Sequence, residues 1–401
     1  FVLSARIPFL ERGIGLDRML LFHRKMGAVS VLVLLPHFVA KVIIFPPSLQ
    51  SLIGDAALIG FIAAGFFAML LFGTPAKPPW LKRLSQRAKE RTGIDYEKTK
   101  LMHNGTFLLS VAAVVHVALA STTGEAGLLT FYFLIVTAIG VGAYLYRKLY
   151  VPAKLQKRPW RVREVKAVAG DHTEIRMAAP LGNRLSHHWS RRRPGQFAYF
   201  TFLGNGPGRE EHPFTISSYG EASELRISAK AIGDFTSRLQ EISVDDPVAV
   251  EGPFGIYSYQ YLDGAAESPL VFIAGGIGIT PFLSMTEAMR FEPQDQRPPK
   301  VTLLWGVQEE QYLLHRSLFE KTAEEWEDFH CRPVVGLHDS RMIQLVLEEQ
   351  GETSPSPEKP GDEGKSIFFI CGPPAMMRFV TDELTKRGIE ERRILRERFA
   401  V

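Results

Sequence analysis

Four long apolar runs fall within the first 150 residues, at Leu16–Ile44 and at positions 52–72, 102–120 and 128–146. Each is long enough to cross a hydrocarbon core of roughly 30 Å as a helix rising about 1.5 Å per residue. Only helices and closed barrels satisfy their own backbone in lipid, so these runs are predicted to be membrane helices. Pro36 removes a backbone donor inside the first and predicts a kink just before His37. A shorter apolar stretch at positions 1–10 reads as the tail of a further span.

Positions 74–100 carry eight Lys/Arg against three Asp/Glu, and Arg147-Lys148 end the fourth run. The links near 46–51 and 121–127 hold almost no charge. Under the positive-inside rule the basic loop lies in the cytoplasm. The expected location is therefore a multi-pass inner (plasma) membrane, with the remainder of the chain on the cytoplasmic side.

From about Trp160 the pattern changes to short β-rich runs punctuated by Gly and Pro, at 160–168, 173–180, 196–203, 224–232 and 247–255. They predict a small antiparallel barrel. A continuous apolar strand at 269–274 is followed by a glycine turn and a helix from Phe282. With Val301–Val307 and Ile367–Cys371 it predicts an α/β unit with a parallel sheet. The expected domains are 1–150, 151–264 and 265–401. Positions 351–365 read as a polar surface insertion, and 186–193 as a solvated basic face.

A chain of 401 residues has room for two or three domains, and a net charge of +4 does not argue for nucleic acid. Two cysteines, Cys331 and Cys371, give neither a disulfide framework nor a cysteine-rich metal site. The chain opens at Phe1 inside an apolar stretch, which points to further helices upstream. No signal peptide is visible.

The first and third apolar runs carry histidines, and ionisable groups in lipid are expensive. His23 and His37 are 14 positions apart, about 21 Å along a helix and within ~40° of one face. His103 and His116 are 13 apart, which leaves them roughly 140° apart on an ideal helix. A lone membrane histidine is more often a helix–helix hydrogen-bonding residue. Two pairs matched in depth on alternate spans instead suit two stacked haems. The offset on the third run means either a distorted helix or haems approached from different angles.

Within the β-rich part stand Pro194-Gly195-Gln196-Phe197, His212-Pro213-Phe214-Thr215-Ile216-Ser217 and Gly233-Asp234-Phe235-Thr236. A strand edge offering an aromatic, a hydroxyl and backbone donors suits a flavin ring. A glycine turn opening a helix at Thr236 suits a pyrophosphate; the plainer readings are a turn and a helix cap. The later turn Gly275-Gly276-Ile277-Gly278-Ile279-Thr280-Pro281, between strand and helix, suits a dinucleotide phosphate. Cys371-Gly372-Pro373 stands at a strand's C-terminal end, where open α/β sheets bind ligands. Cys371 also reads as a small buried hydrophobe.

Together these motifs resemble the NADPH oxidase / ferric reductase superfamily of transmembrane flavocytochromes b, closest in layout to compact prokaryotic NADPH oxidases. The resemblance runs across essentially the whole chain. It implies a membrane α-helical haem bundle joined to a cytosolic ferredoxin-reductase-like module: an antiparallel β-barrel FAD domain and an α/β nucleotide-binding domain. The family has six membrane helices, so the first and most of the second would lie outside this chain. It implies that His23 and His103 ligate the inner haem iron, and His37 and His116 the outer. The flavin would contact His212, Pro213, Phe214, Thr215 and Ser217 together with Pro194, Gln196 and Phe197, and its phosphates Gly233, Asp234, Phe235 and Thr236. NADPH or NADH would bind Gly275, Gly276, Gly278, Ile279, Thr280, Pro281, Gly372 and Pro373. Phe399, in Glu397-Arg398-Phe399, would shield the flavin ring until nicotinamide displaces it. Phe399 and Cys371 are the candidate catalytic residues.

By the same resemblance, electrons leave NAD(P)H for FAD, pass the two b-type haems, and reach an acceptor across the bilayer. The acceptor would be O2, giving superoxide, or a ferric chelate; a partner protein fed by a cytochrome subunit is the third reading. In one respect the chain departs from NADPH-preferring homologues. Gln308-Glu309-Glu310 stands where those carry an arginine for the 2′-phosphate, so NADH is expected to serve at least as well. Arg341 is the cation that would restore phosphate binding by folding back.

Overall fold

The computed structural model describes residues 2, 4–44, 46–71, 83–84, 86–87, 101–119, 127–180, 189–204, 206–262, 267–336, 339–352 and 365–397. The basic loop at 74–100, the histidines at 187–188 and Phe399 lie almost wholly or wholly outside them. The chain divides into two compact units, Phe1–Tyr150 and Val151–Ala400.

In the first unit a short helix, Pro8–Ile14, ends at Gly15, whose φ of 82° lets its N–H return to Glu11 O. Four long helices follow: α1 (Leu16–Ile44), α2 (Leu49–Leu71), α3 (Thr106–Ala118) and α4 (Gly127–Leu145). Among the described residues four helices are long and apolar enough to cross a membrane. Leu32, Val33 and Ile43 on α1 are more than 60 % exposed, an apolar surface that suits lipid rather than water. Pro36 sits inside α1 without ending it. Ser48 and Ser51 cap the start of α2 reciprocally, each backbone N–H meeting the other's hydroxyl at 2.9 and 3.2 Å. Before α3 the ladder tightens: Gly105 N reaches Met102 O at 3.0 Å as well as Leu101 O at 3.3 Å. That 3₁₀-type turn, 102–105, contains His103 and winds faster than an α-helix.

The second unit holds two sheets. Six antiparallel strands, β1 (Trp160–Val168), β2 (His172–Ala178), β3 (Phe197–Phe202), β4 (Glu211–Thr215), β5 (Glu224–Lys230) and β6 (Pro247–Phe254), run in the order β4-β3-β6-β1-β2-β5. Their alternation buries Trp160, Val162, Ile175, Phe200, Phe202, Ile227 and Val248 in one core. The outer strands meet just past β4, where Ser217 N donates to Arg226 O at 2.8 Å and Arg226 N to Ser218 Oγ at 3.0 Å.

The second sheet is wholly parallel: β7 (Leu270–Gly275), β8 (Val301–Val307), β9 (Phe329–Val335), β10 (Ile367–Cys371) and β11 (Ile394–Glu397), in the order β11-β10-β7-β8-β9. Every residue of β7 and β8 is buried, as expected of strands covered on both faces. Helices α5 (Thr280–Phe291) and α6 (Arg316–Glu325) supply Phe282, Leu283, Met285 and Phe319 to one face. Helices α7 (Ser340–Glu349) and α8 (Pro374–Lys386) supply Ile343, Val346, Met377 and Val380 to the other. The strand order reverses between β7 and β10, and that switch point is where such sheets open to ligands.

Candidate functional site

The predicted histidine pairs come together. The ring centroids of His23 and His103 lie 6.2 Å apart, with planes at 82°; those of His37 and His116 lie 6.3 Å apart, at 77°. An imidazole nitrogen binds a metal at roughly 2 Å, so each gap has room for one iron between facing ring nitrogens. His116 Nδ1 lies 2.7 Å from Gln50 O. Donation to that carbonyl leaves Nε2 as the nitrogen with a free lone pair, the way a ligating histidine is usually oriented by a backbone carbonyl. Gly54 makes room for the ring: a Cβ there would stand 2.6 Å from His116. Among the described residues no three His, Cys, Asp or Glu gather to hold a metal. Two imidazoles are a donor set that a haem iron would accept.

The β4 edge gathers the flavin candidates. Phe197 pairs with Thr215, Tyr199 with Pro213 and Phe200 with His212, and directly opposed residues share a face. Pro213 and Thr215 thus lie with Phe197 and Tyr199, while His212 and Phe214 lie with Phe200. Pro213 fits because β4 is an outer strand, where a missing N–H costs no ladder bond. His212 stacks on Phe235 at 3.7 Å, and Phe214 lies 6.4 Å from Phe235, joining two motifs the sequence kept apart. The short helix after Gly233 opens at Asp234 rather than Thr236. Thr236 Oγ1 accepts from Ile232 N and Gly233 N at 3.0 and 3.1 Å; its hydroxyl is the cap, which moves the helix start two residues back.

Pro194-Gly195-Gln196 forms a buried turn held from the nucleotide-binding lobe. Gly195 N donates to Ser284 Oγ on α5 at 2.8 Å. Its φ is 86°, and a Cβ would meet Tyr257 O at 2.2 Å, so glycine is required. Gln196 spends its side chain on Gly255 O at 2.9 Å, Tyr261 Oη at 3.2 Å and Arg193 N at 2.8 Å. It braces the turn. Ser217 is likewise turned inward, donating to Arg226 O at 3.1 Å. No short-range pattern marks Ser284.

At the switch point the two loops interlock. After β7 the chain makes a 3₁₀ turn, Gly276–Ile279, and α5 begins at Thr280, not Phe282; Pro281 in its first turn fits there because that N–H has no helical partner. A Cβ on Gly278 would stand 2.3 Å from Cys371 O, and one on Gly275 would stand 2.9 Å from Pro373 Cδ. Trp305 Nε1 donates to Gly276 O at 3.1 Å. Gly372 is buried and Pro373 exposed. Cys371 is wholly buried, and burial, then the charge of Glu397, pushes its thiol well up. Its side chain belongs to the apolar core beneath the sheet.

Beyond β8, Gln308, Glu309 and Glu310 are exposed. A cation the local run concealed stands beside them: Arg316 pairs with Glu310 at 2.7 Å and Glu320 at 2.6 Å. Arg341 lies exposed on α7.

Two charged contacts tie the lobes of the second unit. Arg226 on β5 meets Glu287 on α5 at 2.6 Å, and Glu287 also accepts from Tyr219 N at 2.7 Å. Glu174, only 3 % exposed, bonds His315 and lies 3.3 Å from Arg176. Burial pushes the Glu174 carboxyl up, but the bond from His315 and the charges of His315, Arg226 and Arg176 outweigh it and hold it below its ordinary range.

Two family profiles match the chain: the ferric reductase like transmembrane component over residues 1–77, and the oxidoreductase NAD-binding domain over 272–382. It is 27 % identical over 192 residues to a probable dihydroorotate dehydrogenase B (NAD(+)) electron transfer subunit of Methanocaldococcus jannaschii, covering 47 % of this chain and 62 % of that protein. It is 29 % identical over 192 residues to NADH-cytochrome b5 reductase 1 of Dictyostelium discoideum, covering 47 % and 65 %. The chain thus spans less than two thirds of either relative. A flavohemoglobin from Malassezia yamatoensis, solved with bound FAD and heme, aligns over 93 % of this chain and 92 % of its own, with a TM-score of 0.49 and 18 % identity.

Proposed function

We propose that this chain, which matches a ferric reductase like transmembrane component over residues 1–77 and an oxidoreductase NAD-binding domain over 272–382, moves electrons from NAD(P)H across a membrane to an external acceptor. O2, giving superoxide, is the favoured acceptor. The observation that carries this reading is the pair of matched histidine gaps, 6.2 and 6.3 Å between centroids.

FAD and two b-type haems, when bound, supply the redox chemistry, taking up an electron pair as hydride and passing electrons on singly. The protein's residues bind, orient and insulate. The turn from Gly275 to Pro281 and the first turn of α5 hold the dinucleotide phosphates against backbone donors. Gly372 and Pro373 form the other lip of that cleft, with Cys371 behind them. His212, Pro213, Phe214 and Thr215, beside Phe197, would hold the flavin ring, and the turn Gly233–Thr236 its phosphates; Phe399, which lies outside the described residues, is the residue that the resemblance assigns to covering the ring. His23 and His103 would hold the inner iron, and His37 and His116 the outer. The nucleotide-binding unit would lie in the cytoplasm.

A second reading, ferric-chelate reduction, is supported by the description of the matching transmembrane family. The short outer links, with few charges to gather a chelate, favour oxygen. Superoxide-dismutase-sensitive cytochrome c reduction by the purified protein, set against ferric-chelate reduction under argon, separates the two. Superoxide formed at two per NAD(P)H consumed supports the oxidase; iron reduction without superoxide replaces it with the reductase.

A further inference from the structure

Lys41 and Asp55 form an ion pair inside the helical unit, and nothing in the electron path described above uses it. Lys41 Nζ lies 2.6 Å from Asp55 Oδ2, with side chains only 17 % and 25 % exposed. Lys41 also lies over the Phe38 ring at 5.9 Å. Two ionisable groups on membrane helices are costly to keep and point to a role. Their placement supplies one. Lys41 is four residues beyond His37 on α1, about 6 Å along the axis and close to the same face. Asp55 is next to Gly54, which makes room for the His116 ring, and five residues from Gln50, whose carbonyl fixes His116. Helix α2 carries no histidine, yet it grips both ligand-bearing helices at the outer pair: α1 through the ion pair, α3 through Gln50 and Gly54.

We infer that Lys41 and Asp55 are positioning residues of the outer site, fixing α1 against α2 and balancing the charge beside it so as to set the reduction potential of the outer iron. The inference rests on the reading of His37 and His116 as haem ligands. Its electrostatics have a definite sign. Asp55→Asn leaves the Lys41 cation uncompensated, favours the added electron, and raises the outer potential. Lys41→Gln leaves the Asp55 anion and lowers it. The neutral double variant Lys41→Gln/Asp55→Asn returns it near the wild-type value, and Lys41→Arg keeps it there. Charges in a medium of low dielectric act strongly at this range, whereas the inner haem is about 21 Å from the outer ligand turn and stays unshifted.

The test is a spectroelectrochemical titration of the purified protein at one fixed pH, following both b-type signals. Opposite shifts of the outer signal in the two single variants, each measured against the neutral double variant, support the inference. If one single variant does not accumulate, the other must still shift in its own direction from the double. Shifts of the same sign, or none, overturn it while leaving the haem assignment intact. Absence of two b-type signals in the wild type overturns the haem assignment itself, and the inference with it.

Discussion

Gly278 is pressed against the carbonyl oxygen of Cys371: a Cβ on that glycine would stand 2.3 Å away. The contact couples the turn after β7 to the loop after β10, the two lips of the proposed nucleotide cleft. Gly278→Ala must push them apart. Overpacking of this kind costs about 1–3 kcal/mol, so thermal unfolding is expected several degrees lower. NADH-driven flavin bleaching is expected to slow more than tenfold, since the displaced turn is the phosphate cradle. Stopped-flow absorbance checks the second effect; an unchanged rate would remove the turn from the binding site.

Glu174 gives the second unit an acid-sensitive tie. Its folded carboxyl lies below its ordinary range, chiefly through the His315 bond working against burial. A depressed carboxylate contributes stability that is fully present above its unfolded value and is lost as pH falls through the folded one. Stability should therefore drop on acidification from roughly pH 5 downward, and Glu174→Gln should flatten that drop while costing about 1–3 kcal/mol near neutrality. Urea titrations followed by tryptophan fluorescence at several pH values measure both. Equal acid sensitivity in the variant would assign the drop elsewhere.

Arg316 bears on nucleotide choice. Glu310 and Glu320 occupy its guanidinium, and a 2′-phosphate would have to compete with them and be repelled by Glu309. NADH is expected to be used at least as well as NADPH. Glu310→Gln frees one side of Arg316 and should improve kcat/KM for NADPH by up to roughly tenfold, with little change for NADH. Steady-state kinetics with both nucleotides decide it; a strong NADPH preference in the wild type would refute the premise.

Replacing His37 or His116 by Ala is expected to abolish electron delivery to the external acceptor while flavin reduction by NAD(P)H continues at the wild-type rate. Cytochrome c reduction and flavin bleaching, measured on the same preparation, separate the two steps. Full acceptor activity in either variant would show the outer site misassigned.

What sequence alone revealed follows the range of the interactions. The apolar spans are legible because lipid imposes length and uniformity, and α1 ends where its apolar run ends. β7, β8 and β10 are legible because a parallel strand covered on both faces is apolar throughout. β4 is visible only as a motif: Pro213 and mixed polarity mask a short outer strand. The start of the helix near Gly233 shifts because the cap is the side chain of Thr236 rather than a residue ahead of it. Lys41 and Asp55 are 14 positions apart, Gly195 and Ser284 are 89 apart, and Glu174 and His315 are 141 apart. No local pattern encodes such pairs; the fold makes them. Arg316 is hidden for the same reason, being six residues past the end of the run that suggested no cation.

The most direct measurement is the haem content of the purified protein, from pyridine haemochrome absorbance per polypeptide, together with a dithionite-reduced spectrum. Two b-type haems per chain, falling to one when either member of one histidine pair is replaced, is the outcome that follows from imidazoles facing each other across two gaps of about 6 Å. A single haem in the wild type, or none, or a content that survives the loss of both His37 and His116, would contradict it.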